Sequence, residues 1–96
     1  MFFAVFYHAN LSGQLSPVCG SDGVVHIDGR FSKERASAAA REQAHRLRRV
    51  KPHLLGFQLF KGESYSRCSP VSSLRPVSAE ALPAFHDAKE KGVVAW

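Results

Sequence analysis

Nearly every side chain from residue 2 to residue 9 is apolar or aromatic, whether its position is even or odd. Aromatic and β-branched residues at both kinds of position are typical of a strand that is buried on two sides or lies centrally in a small sheet. Polar residues and a glycine follow over residues 10–16. The pattern therefore predicts a first strand over residues 2–9 and a turn after it.

Two parts of the chain follow the pattern of a β-hairpin, in which two short runs flank a turn. The first pair lies within residues 17–29, PVCGSDGVVHIDG, around the turn-forming cluster at residues 20–23. The second pair consists of residues 54–60, LLGFQLF, and residues 64–71, SYSRCSPV, which flank the turn residues 61–63. Each pair predicts a hairpin, and the mostly polar second strand of the later hairpin is expected at the edge of the sheet.

Between these hairpins the periodicity changes to that of a helix over about residues 33–50. Ser32 is a good N-cap, and Phe31 and Ala36 occupy the staple positions around it. Pro52 disfavours helical geometry in the residue before it, so the helix must end by about Lys51. The predicted buried stripe consists of Ala36, Ala39, Ala40, Leu47 and Val50, with Ala44 at its margin.

A buried helix face made mostly of alanine allows the helix to approach a sheet closely, and larger side chains must then fill the space between them. The strands supply these side chains, and the candidates are Phe3, Phe6, Phe57 and Phe60.

The last part of the chain predicts a second, shorter helix. Ser78 is a possible cap, Lys91 the last helical residue and Gly92 a suitable C-terminal cap, while Pro83 breaks or restarts the helix. The apolar residues 93–96 are expected to pack back onto the domain or to pair with a sheet edge. Together these elements predict a single α+β domain over residues 1–96, in which a small antiparallel sheet of four or five strands packs on one main helix.

The composition narrows the class of protein. Cys19 and Cys68 are far apart and show no metal-ligand spacing, so neither a disulfide framework nor a structural zinc site is expected. The apolar stretch after Met1 lacks a basic leader region and is too short for a signal sequence or a membrane span. We therefore expect a cytoplasmic protein with no membrane partner.

The charge is concentrated in the predicted main helix. The chain has 13 Lys and Arg residues against 8 Asp and Glu. Eight of these basic residues and two of the acidic ones lie between Arg30 and Lys51, a local balance of +6, whereas the remainder carries five basic and six acidic residues. The candidate binding residues are Arg35, Arg41, His45, Arg46, Arg48, Arg49 and Lys51, with Glu42 placed to pair with Arg46.

Most of these basic residues are arginines, whose planar fork suits phosphate and carboxylate groups. We expect Arg41, His45, Arg48 and Arg49 to project into solvent opposite the alanine stripe. The competing explanation is that a surface helix simply needs a solvated face. Cations in its last turn also complement the helix dipole.

Catalytic chemistry has little support in the sequence. No two of the five histidines share an element at helical metal-ligand spacing, and no nucleophile elbow or phosphate loop is present. A weak alternative makes His26 a general base, with Asp28 on the same strand face as its orienting group and Cys19 as nucleophile. We therefore expect no enzyme activity, no metal and no cofactor.

The sequence favours a noncatalytic binding module whose basic helix engages nucleic-acid backbone or a nucleoprotein complex. No sequence-reading motif is present, so base-specific recognition is not expected. The alternative is a small inhibitor of the kind that phages and mobile elements encode, comparable to anti-CRISPR proteins in size, which would act by docking on the acidic surface of a host protein complex.

Overall fold

A computed structural model describes residues 1–18, 23–64 and 66–94. It has the predicted α+β class: an antiparallel sheet, one main helix and a short C-terminal helix. The strands are β1 (Phe2–Ala9), β2 (Leu15–Pro17), β3 (Val24–Ile27), β4 (Leu54–Ser64), β5 (Arg67–Pro70) and β6 (Arg75–Pro76), and the helices are α1 (Lys33–Val50) and α2 (Leu82–Lys91).

The centre of the sheet is the antiparallel pair of β1 and β4, in register from Phe2 opposite Lys61 to Tyr7 opposite Gly56. Because β4 occupies one edge of β1, both β2 and β3 pair with the other edge, one after the other. In the same way β5 and β6 share the outer edge of β4. The sheet therefore has four rows, and each outer row consists of two short strands.

The predicted hairpin within residues 17–29 is wrong, because its two apolar runs do not pair with each other. Tyr7 pairs with Pro17, and Val5 pairs with Val24, so both runs pair with β1. The eight residues of β1 offer enough edge for both.

The predicted turn of the second hairpin is also displaced along the chain. The ladder continues through residues 61–63 until Ser64 pairs with Arg67, although the predicted pairing of the two runs and the edge position of the second are confirmed. A side chain at Gly62 would collide with the backbone of Arg67 and Cys68. Glycine at this position therefore permits close strand pairing rather than a turn.

The bounds of α1 and its caps agree with the prediction. The hydroxyl of Ser32 accepts a hydrogen bond of 3.2 Å from the backbone N–H of Arg35, and the N–H of Lys51 donates to the carbonyl of Leu47 at 2.8 Å. The buried stripe differs at its C-terminal end, because Ala44 is fully buried whereas Val50 is 79% exposed. Val50 follows Ala44 by six residues, which rotates its side chain about 120° away.

The aromatic residues of the two central strands fill the core, as predicted. Phe3, Phe6 and Phe57 are almost completely buried and Phe60 is 7% exposed. The helix α1 packs across β4, β3 and β1 through its small alanine side chains. Both faces of β1 are buried from residue 2 to residue 7, which confirms the interpretation of its two-sided apolar pattern.

The helix α2 begins later than predicted, at Leu82, and Ala81 rather than Ser78 occupies its N-cap. Pro83 lies in the first turn of α2, where a proline is compatible with a helix start, so the helix begins there instead of being broken. The predicted cap at Gly92 is confirmed. After it, Val94 donates a hydrogen bond of 2.7 Å to Leu15, so the described part of the tail pairs with β2 at the sheet edge.

Phe85 of α2 lies directly over Gly56 of β4. A methyl group at Gly56 would come within 2.7 Å of the Phe85 ring and 3.0 Å of the carbonyl oxygen of Arg75. These distances are shorter than van der Waals contacts, so any side chain at this position must displace the helix or the neighbouring strand.

We predict that Gly56→Ala lowers the free energy of unfolding by about 1–3 kcal/mol, because it overpacks this contact. Urea unfolding of the single variants Gly56→Ala and Phe85→Leu and of the double variant tests the contact. The loss in the double variant should be smaller than the sum of the two single losses. Strict additivity would contradict the contact between Gly56 and Phe85.

Candidate functional site

The seven basic residues predicted as a binding surface do not form one continuous face. Arg41 and His45 line clefts beside α1, and Arg48 lies on the same flank of the helix. On the remaining surface of α1, Arg35 and Arg46 make contacts of their own, Arg49 is exposed, and Lys51 is the half-buried C-cap residue.

Two adjacent clefts lie between α1 and the segment 75–79. One has a volume of about 340 Å³ and the other of about 310 Å³. Arg41 lines both, so the two clefts adjoin at this residue, and we call them together the α1 groove. The first cleft is lined by Arg41, His45, Pro76, Val77, Ser78, Ala79 and Leu82, and the second by Lys33, Glu34, Ser37, Ala38, Arg41 and Arg75.

The expectation that Arg48 projects into solvent is wrong. Its side chain is only 24% exposed, and its Nη1 donates a hydrogen bond of 2.9 Å to the hydroxyl of Ser78. Arg48 follows Ala44 by four residues, a rotation of only about 40°, so it lies next to the buried stripe. Arg48 therefore links α1 to the segment that forms the far wall of the α1 groove.

The charge of Arg48 is only weakly neutralised. The nearest carboxylate, that of Glu80, lies 4.0 Å from Nη1 and is 91% exposed. The Nε of Arg48 is buried and has no hydrogen-bond acceptor among the described residues. The charge of Arg48 therefore adds to the positive charge beside Ser78, which lines the adjacent cleft.

The outer side of α1 is partly neutralised. Arg46 pairs with Glu42 at 2.9 Å, as predicted, and both side chains are exposed. The guanidinium of Arg35 lies 4.4 Å from the ring centre of Phe31. Arg46 therefore has a counter-charge on this side, whereas Arg35 keeps its charge beside the Phe31 ring.

Lys51 belongs to a different part of the surface. It lines a separate cleft of about 430 Å³ at the C-terminal end of α1, together with His8, His53 and several apolar residues. Lys51 and Arg41 therefore do not contribute to the same site.

Three polar residues that line the α1 groove are not among the predicted binding residues: Lys33, Arg75 and Ser78. Lys33 lies in the first turn of α1, away from the arginine cluster. Arg75 and Ser78 reach the groove only because β6 pairs with β4, opposite Gly56 and Phe57. The doublet Arg75-Pro76 carries no local signal of that pairing.

The weak catalytic alternative is not supported by the geometry of its strand. Asp28 follows β3, and its carboxylate accepts hydrogen bonds from Nε and Nη2 of Arg30, the shortest at 2.8 Å. This exposed contact holds the pKa of Asp28 below its ordinary value. The ring of His26 instead contacts Phe3 and the sulfur of Met1. Cys19, the proposed nucleophile, lies outside the described residues.

Metal-binding geometry is likewise absent from the described ranges, in which no three His, Cys, Asp or Glu side chains come together. Over the same ranges, neither helix is long and apolar enough to cross a membrane. Comparison of the chain with protein families, curated proteins and solved structures gives no match.

We predict that Ser78→Ala lowers the free energy of unfolding by about 1–3 kcal/mol, because Arg48 and the N–H of Ala81 both lose their acceptor. Ser73→Ala is the matched control, since this exposed hydroxyl makes no hydrogen bond in the described structure, and it should change stability by less than about 0.5 kcal/mol. Thermal or urea unfolding measures both. Equal effects would show that the Arg48–Ser78 contact does not hold the wall of the groove.

Proposed function

We propose that the protein is a noncatalytic binding module that engages the phosphate backbone of nucleic acid through the basic residues of α1. The observation that carries the proposal is the position of Arg41 at the junction of two clefts, where Lys33 and Arg75 add positive charge. Among the described residues that line the clefts, Glu34 is the one acidic residue. Most of the basic excess of the chain lies in the helix that forms this groove.

Electrostatics explains why phosphate is the favoured ligand group. A protein that neutralises phosphates releases condensed counterions, which drives binding without regard to base sequence. Arginine adds paired hydrogen bonds to phosphate oxygens. Backbone binding of this kind requires no reading motif, in agreement with a sequence that contains none. The proposal places the protein in the cytoplasm, where nucleic acid is accessible to it.

We predict that the protein binds labelled oligonucleotides at low salt and that its affinity falls steeply as the salt concentration rises. Three phosphate contacts, one each for Lys33, Arg41 and Arg75, correspond to a slope of about −2 for log K against log salt on a single strand. Fluorescence anisotropy at several salt concentrations measures this slope. An affinity that does not change with salt would contradict phosphate binding.

Charge reversal tests the role of α1 in the same assay. Arg41→Glu combined with Lys33→Glu should weaken binding by at least about tenfold, because both exposed residues belong to the basic helix and line the groove. The matched control combines Arg67→Glu with Lys89→Glu, which changes the net charge equally on β5 and α2. Equal losses in the two variants would show that net charge alone drives binding. Binding of an acidic protein but of no oligonucleotide would favour the inhibitor alternative.

A further inference from the structure

Building on the proposed function, we infer that the ligand is single-stranded nucleic acid that lies along the α1 groove, with one phosphate between Arg41 and the hydroxyl of Ser78. The proposed function would be satisfied by single-stranded or duplex nucleic acid on any part of α1. The inference assigns both the form of the nucleic acid and the residues that receive its backbone.

The basic residues of the groove are exposed side chains at the border of clefts. Arg41 and Arg75 line clefts between α1 and the segment 75–79. Duplex DNA is stiff over about 150 base pairs, so it does not bend locally to fit successive phosphates into two adjoining clefts. A single strand bends freely, and positively charged grooves that follow one backbone are typical of single-strand binding proteins.

Ser78 lines the larger of the two clefts, and its hydroxyl already accepts two hydrogen bonds. Its oxygen accepts from Nη1 of Arg48 at 2.9 Å and from the backbone N–H of Ala81 at 3.2 Å. A hydroxyl has two acceptor lone pairs and one hydrogen to donate. With both lone pairs occupied, Ser78 can serve a ligand only as a donor, which suits a phosphate oxygen.

A positive charge lies behind this hydroxyl. Arg48 donates to Ser78, a lining residue of the cleft, so the guanidinium lies one hydrogen bond away from the lining. A cation that donates to a hydroxyl also polarises it and makes it a stronger donor. Arg48 therefore acts as a positioning residue, whereas Arg41 and Ser78 contact the ligand.

The lining residues also indicate whether the bases of the ligand can stack in the groove. Among the described residues that line the two clefts, none is Phe, Tyr or Trp. Base stacking on aromatic rings, which strengthens many single-strand complexes, therefore has no platform in the groove. We expect binding that depends on the backbone and discriminates little between homopolymers.

The test measures the affinity of the full chain for a 12-nucleotide oligo-dT and for a blunt duplex of equal phosphate number, by fluorescence anisotropy at low salt. We expect the single strand to bind at least about tenfold more tightly than the duplex. Arg41→Glu should weaken single-strand binding by at least about tenfold, whereas Arg49→Glu should weaken it by no more than about twofold. Both variants change the net charge equally on exposed residues of α1. A difference between their affinity losses therefore depends on where the charge lies.

Two milder variants test the same contacts with less risk of unfolding the protein. Arg41→Gln removes the charge without reversing it and should show an intermediate loss, and thermal unfolding verifies that each variant is folded. Arg48→Lys keeps a cation but shortens the link to Ser78, and it should weaken single-strand binding with a smaller effect on the salt slope than Arg41→Gln.

The outcomes separate the inference from the proposed function. If Arg41→Glu and Arg49→Glu lose affinity equally, or if the duplex binds as well as the single strand, the groove assignment is overturned while nucleic-acid binding by α1 stands. If the unmodified protein binds neither oligonucleotide at low salt, the proposed function fails and the groove assignment fails with it.

Discussion

The antiparallel pairing of β1 with β4 is the interaction on which the rest of the structure depends. Phe6 and Phe57 lie directly opposite each other in this pair, and both are fully buried. Every outer strand pairs with one of these two strands and with no other named strand in the described part of the chain. A substitution that separated β1 from β4 would therefore remove the support of both outer rows and of both helices.

The alanine stripe of α1 imposes the second constraint, because it brings the helix backbone close to the sheet. Ala36, Ala40 and Ala44 are fully buried, and the aromatic residues of the strands provide the bulk. A helix so close to the sheet also brings its flanking residues against neighbouring segments. Arg48 reaches Ser78 in this way, so the packing that stabilises the domain also shapes the proposed ligand groove.

Local signals in the sequence predicted the elements well and their partners less well. The cap at Ser32 and the proline at residue 52 define the ends of α1, since each acts within a few residues. The partners of residues 17–29 depend on the exposed edge of β1, which no local pattern reveals. The environment of Arg48 depends on a residue 30 positions away. For this reason the basic character of the candidate site was predictable, whereas its division between a groove and an outer surface was not.

The long separation between the two central strands determines the order in which the fold can form. The partner of β1 on β4 lies about 50 residues later in the chain, and contacts of this range pay a large loop-closure entropy before they form. At typical synthesis rates β4 follows β1 from the ribosome by about 3–10 s. During that interval β1 can pair with β2 and β3, but the edge that β4 will occupy stays unpaired. β1, the most apolar strand, therefore has an unpaired edge that can associate with other chains until β4 has been synthesised.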